Sequence, residues 1–295
     1  MTINELVLLY VEHARSYYAK DGKPNDEFHC IASAVRPLLD LAGETAISDF
    51  GPLSLKAVRE SMIQSNADQE RKPWTRDYIN KAVSRIRRVF KWGVSQELFG
   101  PAVLQRLQSL EPLLKGRTDA KDNPARSAVP LETIEAVRNE VKERIRDMMD
   151  IAVLTGARPG ELVYLTVEMI DSSADVLRVV LPEHKMRYKG RRRVLYFGPK
   201  AQLIVKKHIK GKSKKDRLFP IRRGTFSNSI KRACDKLKIP RFTGHWLRHN
   251  AGTQFRKLGG LDAAQVMLGH SHADVTQIYA DADDEQAIEI AREHG

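Results

Sequence analysis

The chain has 295 residues, room for about two domains of ordinary size, and carries 50 Lys and Arg against 37 Asp and Glu, a net charge of +13 with an isoelectric point near 9.7. That surplus makes a polyanion the first partner to consider. Cys30 and Cys234 stand far apart without metal-ligand spacing, which argues against a zinc site or a disulfide framework, and no apolar run approaches the roughly 20 residues needed to span a bilayer.

The start, Met1 to Leu6, lacks the basic flank of an export signal, so a reduced cytoplasmic compartment is expected. Leu6, Leu9, Tyr10, Ala14 and Tyr17 recur at helical spacing, and Ile31, Val35, Leu38, Leu39 and Leu41 repeat the pattern. A short helix is expected from Ser54 to Ile63, then a polar turn from Ser65 to Asp68. After Thr75 the pattern is clearest. Ile79, Ala82, Val83, Ile86, Val89, Phe90, Gly93 and Val94 form one face, while Lys81, Arg85 and Arg88 line the other, a candidate for a DNA groove or simply a solvated face.

Between Gly116 and Pro130 charges, Pro and Gly replace the apolar period, and residues 117–130 read as a linker. It separates a helical first domain, residues 1–116, from a second, residues 131–295. There, helical pattern resumes from Leu131 and from Arg146 to Leu154, stopping at Thr155-Gly156. Val176–Leu181 and Arg193–Phe197 are the convincing strands, joined by a basic turn that holds Lys185 and Lys189. Helices are expected from about Lys200, Thr225, Trp246, Asp262 and Ala273. The fold class is mainly α with a small antiparallel β-sheet.

The chemistry concentrates late in the chain. Residues 244–249 read Gly-His-Trp-Leu-Arg-His, followed by Leu268-Gly269-His270 and then Tyr279, while Thr155-Gly156-Ala157-Arg158-Pro159-Gly160-Glu161-Leu162 lies upstream. Cleaving a phosphodiester with a side chain requires fixed positive donors on the nonbridging oxygens, an in-line nucleophile and a proton for the departing oxygen. Arg158 and Arg248 suit the first task, because a guanidinium stays charged and its planar fork matches phosphate. Tyr279 suits the second, although with a pKa near 10 its phenolate costs about 4 kcal/mol at neutral pH that positive neighbours must offset. His245 and His270 exchange protons near neutrality. Lys185 is the candidate proton donor to the leaving 5′ oxygen, with Lys189 its close rival. Glu161, one turn past Arg158, and His249 are read as supporting residues, and Gly156 and Pro159 place Arg158 at a helix entrance. Each residue alone has an ordinary explanation: a surface ion pair, a packing tyrosine, a structural histidine. His245 and His249 also have the spacing of a metal pair, but no carboxylate completes it in sequence.

These boxes together resemble the tyrosine recombinases, or phage-type integrases. The resemblance covers the second domain at motif level; in the first it rests on the basic helix running into Phe90-Lys91-Trp92-Gly93-Val94, similar to the family's core-binding domain. It assigns catalysis to Arg158, Lys185, His245, Arg248, His270 and Tyr279, and implies strand cleavage and rejoining through a 3′-phosphotyrosine with neither metal nor nucleotide cofactor. It further implies double-stranded DNA as partner, a homotetramer working through a Holliday junction, possible accessory DNA-bending proteins, nucleoid association, and a tail from about Asp283 to Glu293 that docks on a neighbouring protomer or on its own domain. The short segment before Leu6 suggests the layout without an arm-binding domain. Trp246 stands where the family often has an acid and Asn250 where it often has threonine. Competing readings are a type IB topoisomerase and a catalytically silent DNA-binding or architectural protein.

Overall fold

The computed structural model describes residues 1–20, 22–64, 73–123, 128–181 and 193–269. They fall into two units, Met1–Ala125 and Arg126–Gly295. The first is a helical bundle of α1 (Ile3–Tyr17), α2 (Asp26–Ala42), α3 (Pro52–Ile63), α4 (Arg76–Ser95) and α5 (Ala102–Gln108). Two-residue strands β1 (Ala19–Lys20) and β2 (Lys23–Pro24) form a small hairpin between α1 and α2.

Local chemistry starts these helices. The Thr2 hydroxyl accepts from the Glu5 N–H while the Glu5 carboxylate accepts from the Thr2 N–H, a reciprocal cap on α1. Asn25 caps α2 by accepting from the N–H groups of Glu27 and Phe28. The buried stripe of α1 runs Ile3, Leu6, Val7, Tyr10 and Ala14, whereas Leu9, Tyr17 and, on α2, Leu41 face outward. Leu9 lies off the 3.6-residue stripe that starts at Ile3, Tyr17 is exposed at the last position of α1, and Leu41 lies outside the buried stripe of α2, although sequence spacing places all three with the inner residues. In α4 the expected face from Ile79 to Gly93 is buried, and Phe90 stacks on Phe50 with ring centroids 5.4 Å apart. Helix α5 has seven residues, too few for a periodic signal.

The second unit contains α6 (Leu131–Glu140), α7 (Glu143–Thr155), α8 (Pro159–Tyr164), α9 (Pro199–Ile209), α10 (Arg223–Leu237) and α11 (Gly244–Leu268). Its sheet is an antiparallel meander of β3 (Ile170–Asp171), β4 (Leu177–Leu181) and β5 (Arg193–Phe197). Leu177, Val179 and Leu181 of β4 face inward with Leu195 and Phe197 of β5, as period-2 alternation requires. The architecture is thus mainly α with one small sheet in the second unit; the two-residue β3 gave no sequence signal. Helix α11 is broken at Gly259–Gly260, where both residues leave helical geometry, in keeping with the expected starts near Trp246 and Asp262.

The centre of this unit is α7, whose Met148, Met149, Ile151 and Ala152 are fully buried against α9, α11 and β5. A buried carboxylate fastens α9 to it. Asp147 Oδ2 lies 2.7 Å from Lys207 Nζ and 2.6 Å from His208 Nε2.

Much of the segment read as a linker is built into the units. Lys121 accepts from the Arg76 N–H, Asp122 pairs with the Arg76 guanidinium at 2.6 Å, and Ala120 joins the first core. Val129 joins the second core, its backbone clasped on both sides by the Asn250 amide at 2.9 and 2.7 Å. These ties run through backbone groups and lone side chains, so they leave no apolar period. They also account for Asn250, whose amide offers an acceptor oxygen and a donor nitrogen on separate atoms to the two sides of Val129, where threonine would have a single hydroxyl. The expected turn at Ser65–Asp68, the helix from Ala273 and the tail from Asp283 lie outside the described residues. No helix among the described residues is long and apolar enough to cross a membrane.

One turn decides how α7 meets α11. Gly156 ends α7 at φ +65°, and a Cβ there would lie 2.5 Å from Leu268 Cδ2. Gly156→Ala is therefore expected to lower the stability of the second unit by at least about 1–2 kcal/mol, the cost of a left-handed non-glycine residue before steric clash is added. Denaturant unfolding measures it; an unchanged midpoint would contradict this role.

Candidate functional site

The site grows from the turn after α7. Pro159 occupies the first position of α8, where its missing N–H leaves no bond unmade, and Arg158 stands just ahead of it in extended conformation. Glu161, in the first turn of α8, reaches back: its Oε2 accepts from the Arg158 N–H at 2.8 Å and its Oε1 from Arg158 Nη1 at 2.7 Å. Arg158 is thereby fixed at backbone and side chain while its side chain keeps 35% exposure.

Helix α11 brings the second box to the same turn. Its first residue, Gly244, packs so closely on Pro159 and Phe226 that a Cβ would lie 2.6 and 2.5 Å from them. His245 is exposed beside this junction, Trp246 is half-buried against the core, and Arg248 and His249 are buried. Arg248 donates from Nη1 to the carbonyl of Gly156 and from Nη2 to the carbonyl of Leu268 at 2.7 Å. One guanidinium therefore ties the end of α7 to the end of α11.

Sequence reasoning missed Arg193. It opens β5 and is 3% exposed, with Nε 3.4 Å from Glu161 Oε1 and Nη1 2.9 Å from the carbonyl of Met267. The clue was available: strand alternation puts residue 193 on the inward face with Leu195 and Phe197, where a charged residue demands a partner. The run of three arginines at residues 191–193 obscured it.

Electrostatically, Glu161 is the hub. Burial alone would raise its pKa, but the positive charges of Arg193 and Arg158, with the hydrogen bonds from Arg158, hold it below the usual carboxylate range. Burial in turn pushes the Arg193 guanidinium down against the pull of Glu161, although a guanidinium remains charged at neutral pH. Arg158, Glu161, His245, Arg248 and His249 are thus gathered on α8, α11 and the α7–α8 turn. Lys185, Lys189, His270 and Tyr279 lie outside the described residues.

In the first unit the basic face of α4 is less free than its sequence implied. The N-terminus of α2 packs across α4 and carries Glu27, which accepts from Arg85 at 3.1 and 2.8 Å and from Arg88 at 2.8 Å. Arg88 also lies 3.2 Å from the Tyr18 hydroxyl. The hydrogen bond from Arg85 leads the causes that hold the Glu27 carboxyl below its ordinary value. Arg85, half-buried and forked onto Glu27, is a structural tie here; Lys81 is exposed.

The family model described as Phage integrase family matches residues 130–286. The chain is 34% identical over 149 residues to Tyrosine recombinase XerA of Saccharolobus solfataricus, covering 50% of this chain and 49% of that protein. It spans about half the length of the first curated relatives it matches. Among solved structures it is similar to the Tn1549 transposon integrase in complex with transposon right end DNA, with TM-score 0.71, 18% identity and 99% of both chains covered. It is also similar to a lambda integrase tetramer bound to a Holliday junction, with TM-score 0.69, 16% identity, and 95% of this chain and 78% of that one covered. At these identities the structural likeness concerns the fold.

Because Glu161 is held ionised by its neighbours, it stabilises the folded state above the ordinary glutamate pKa of roughly 4.3, and that contribution is lost as pH falls through its lower folded value. Glu161→Gln should therefore be less stable than wild type by about 3–5 kcal/mol near neutrality, the scale for breaking a buried pair, with the gap closing in acid. Urea unfolding of both proteins across pH 3 to 7 tests this; a gap that does not depend on pH would contradict it.

Proposed function

Because the chain belongs to the phage integrase family, we propose that it is a site-specific DNA recombinase that cleaves and rejoins strands through a 3′-phosphotyrosine. The observation that carries this reading is the clasp of Arg248 on Gly156, 92 residues apart in sequence, which draws the His-x-x-Arg helix onto the turn that presents Arg158. Two separately encoded arginine boxes converge on one locus, as stabilising the charge of a pentavalent phosphate requires.

In the proposed reaction the Tyr279 oxygen forms a bond to the scissile phosphorus as the bond from phosphorus to the 5′ oxygen breaks. The tyrosine proton leaves to a base, and the 5′ oxygen gains a proton from a general acid. Arg158 and Arg248 stabilise the nonbridging oxygens, and His245 and His270 hydrogen-bond to the phosphate and handle protons. A 5′ hydroxyl from the partner duplex then reverses the step, releasing Tyr279 and restoring the phosphodiester. Bond energy is conserved, so the scheme assigns every step to side chains. Strand exchange in pairs calls for a homotetramer on two double-stranded sites, with accessory DNA-bending proteins as further partners, at the nucleoid in the cytoplasm. In the first unit Lys81 is proposed as a phosphate contact. Arg88 is a second contact that would exchange Glu27 for DNA.

The test is a nicked suicide substrate, from which the cleaved fragment diffuses away and leaves the covalent complex trapped. Wild-type protein should form the adduct, also in excess EDTA, and Tyr279→Phe should bind the DNA equally yet form none. A protein that binds but never forms an adduct would be a silent DNA-binding protein, and adduct from the Phe variant would remove Tyr279 from its role.

Lys185 is proposed as the general acid because in sequence it follows the apolar run of the first strand, whereas Lys189 directly precedes Gly190, and a proton donor must be held within reach of the leaving oxygen. A substrate with sulfur at the bridging 5′ position needs no such proton. Lys185→Ala should be slowed severely on ordinary DNA and largely rescued by sulfur, while Lys189→Ala shows little rescue; the reverse pattern would move the role to Lys189.

A further inference from the structure

We infer that Arg193 is a positioning residue for phosphate cleavage, which keeps Arg158 electrostatically available and sets the turn from which His270 departs. This rests on the recombinase reading and adds to it a buried residue. Glu161 is one negative charge between two positive ones, Arg158 at 2.7 Å and Arg193 at 3.4 Å on the same carboxylate oxygen. With both arginines present the cluster keeps a surplus positive charge. Without Arg193, Glu161 and Arg158 would cancel, and the exposed guanidinium would meet a phosphate as half of a neutral pair.

The second task is geometric. Arg193 Nη1 donates to the carbonyl of Met267, and the next carbonyl, that of Leu268, accepts from Arg248 Nη2. Consecutive carbonyls at the end of α11 are thus held by two guanidiniums. The residue that follows, Gly269, sits at φ +62°, and a Cβ there would lie 2.8 Å from Arg193 Nη1. The Leu-Gly-His box therefore needs its glycine because Arg193 occupies the space beside it. Holding these carbonyls fixes the backbone at the end of α11, just ahead of Gly269.

Arg193 is a costly way to build a core. It sits at an inward strand position, and its Nη2 is buried without a hydrogen-bond partner among the described residues. Aliphatic side chains commonly replace buried ion pairs with no loss of stability. The cost is explained if the charge serves cleavage.

The experiment compares wild type, Arg193→Met and Arg193→Lys on the nicked suicide substrate, measuring single-turnover cleavage at saturating protein, DNA affinity and urea unfolding for each. Arg193→Met should cleave roughly ten to a hundred times more slowly, the scale for misplacing a catalytic group by about an ångström, while DNA affinity stays within about threefold. Arg193→Lys, which restores the charge without the fork, should recover part of the rate. Cleavage by Arg193→Met within about twofold of wild type would overturn the inference while leaving the recombinase reading intact. So would parallel losses of stability, affinity and cleavage in both variants. Absence of adduct from wild type would instead overturn the recombinase reading itself.

Discussion

Glu161 is a carboxylate buried beside two guanidiniums, and the arrangement around it constrains most of the second unit. Its position in the first turn of α8 is set by Pro159 and by its own bond back to the Arg158 N–H. From there a single oxygen joins α8 to β5 through Arg193. A charge in this setting is tolerated only when paired, because desolvation costs several kcal/mol per ion. The pairing in turn requires that the strand, the turn and the helix keep their distances. Sequence, packing and electrostatics thus meet at one atom.

Around that hub, backbone carbonyls do work usually left to side chains. Gly156, Met267 and Leu268 offer carbonyls to Arg248 and Arg193, so the ends of α7 and α11 are fixed by charged donors as well as by apolar contact. Charge-assisted bonds of this kind are short and strongly oriented. They hold a rigid frame beneath Arg158, the exposed member of the set, and a phosphate-binding group benefits from such support because it need not reorganise during the reaction. In the first unit the same chemistry has a different outcome: Glu27 draws Arg85 out of the surface and leaves Arg88 half-committed.

Long periodic stretches were legible in the sequence. The inner face of α4 and the strands at β4 and β5 stand where apolar spacing put them, because repetition survives small shifts in register. Short or aperiodic features were not. The seven-residue α5, the two-residue β3 and the ties of Lys121 and Asp122 to Arg76 depend on single long-range contacts that no local pattern encodes. Of the candidate site, the Arg158 box was readable because Gly, Pro and Glu punctuate a helix start in a chemically interpretable order. Arg193 escaped because its meaning lies in a partner 32 residues upstream. Likewise Arg85 looked free on its helix and proved occupied by a residue 58 positions earlier.

In the proposed reaction the scissile phosphate is transferred to Tyr279. Digesting the trapped protein–DNA complex with protease and sequencing the nucleotide-bearing peptide by mass spectrometry tests it most directly. The modification is expected on Tyr279, linked to a 3′ phosphate, with a free 5′ hydroxyl on the departing strand. Attachment to another residue, or through a 5′ phosphate, would contradict it.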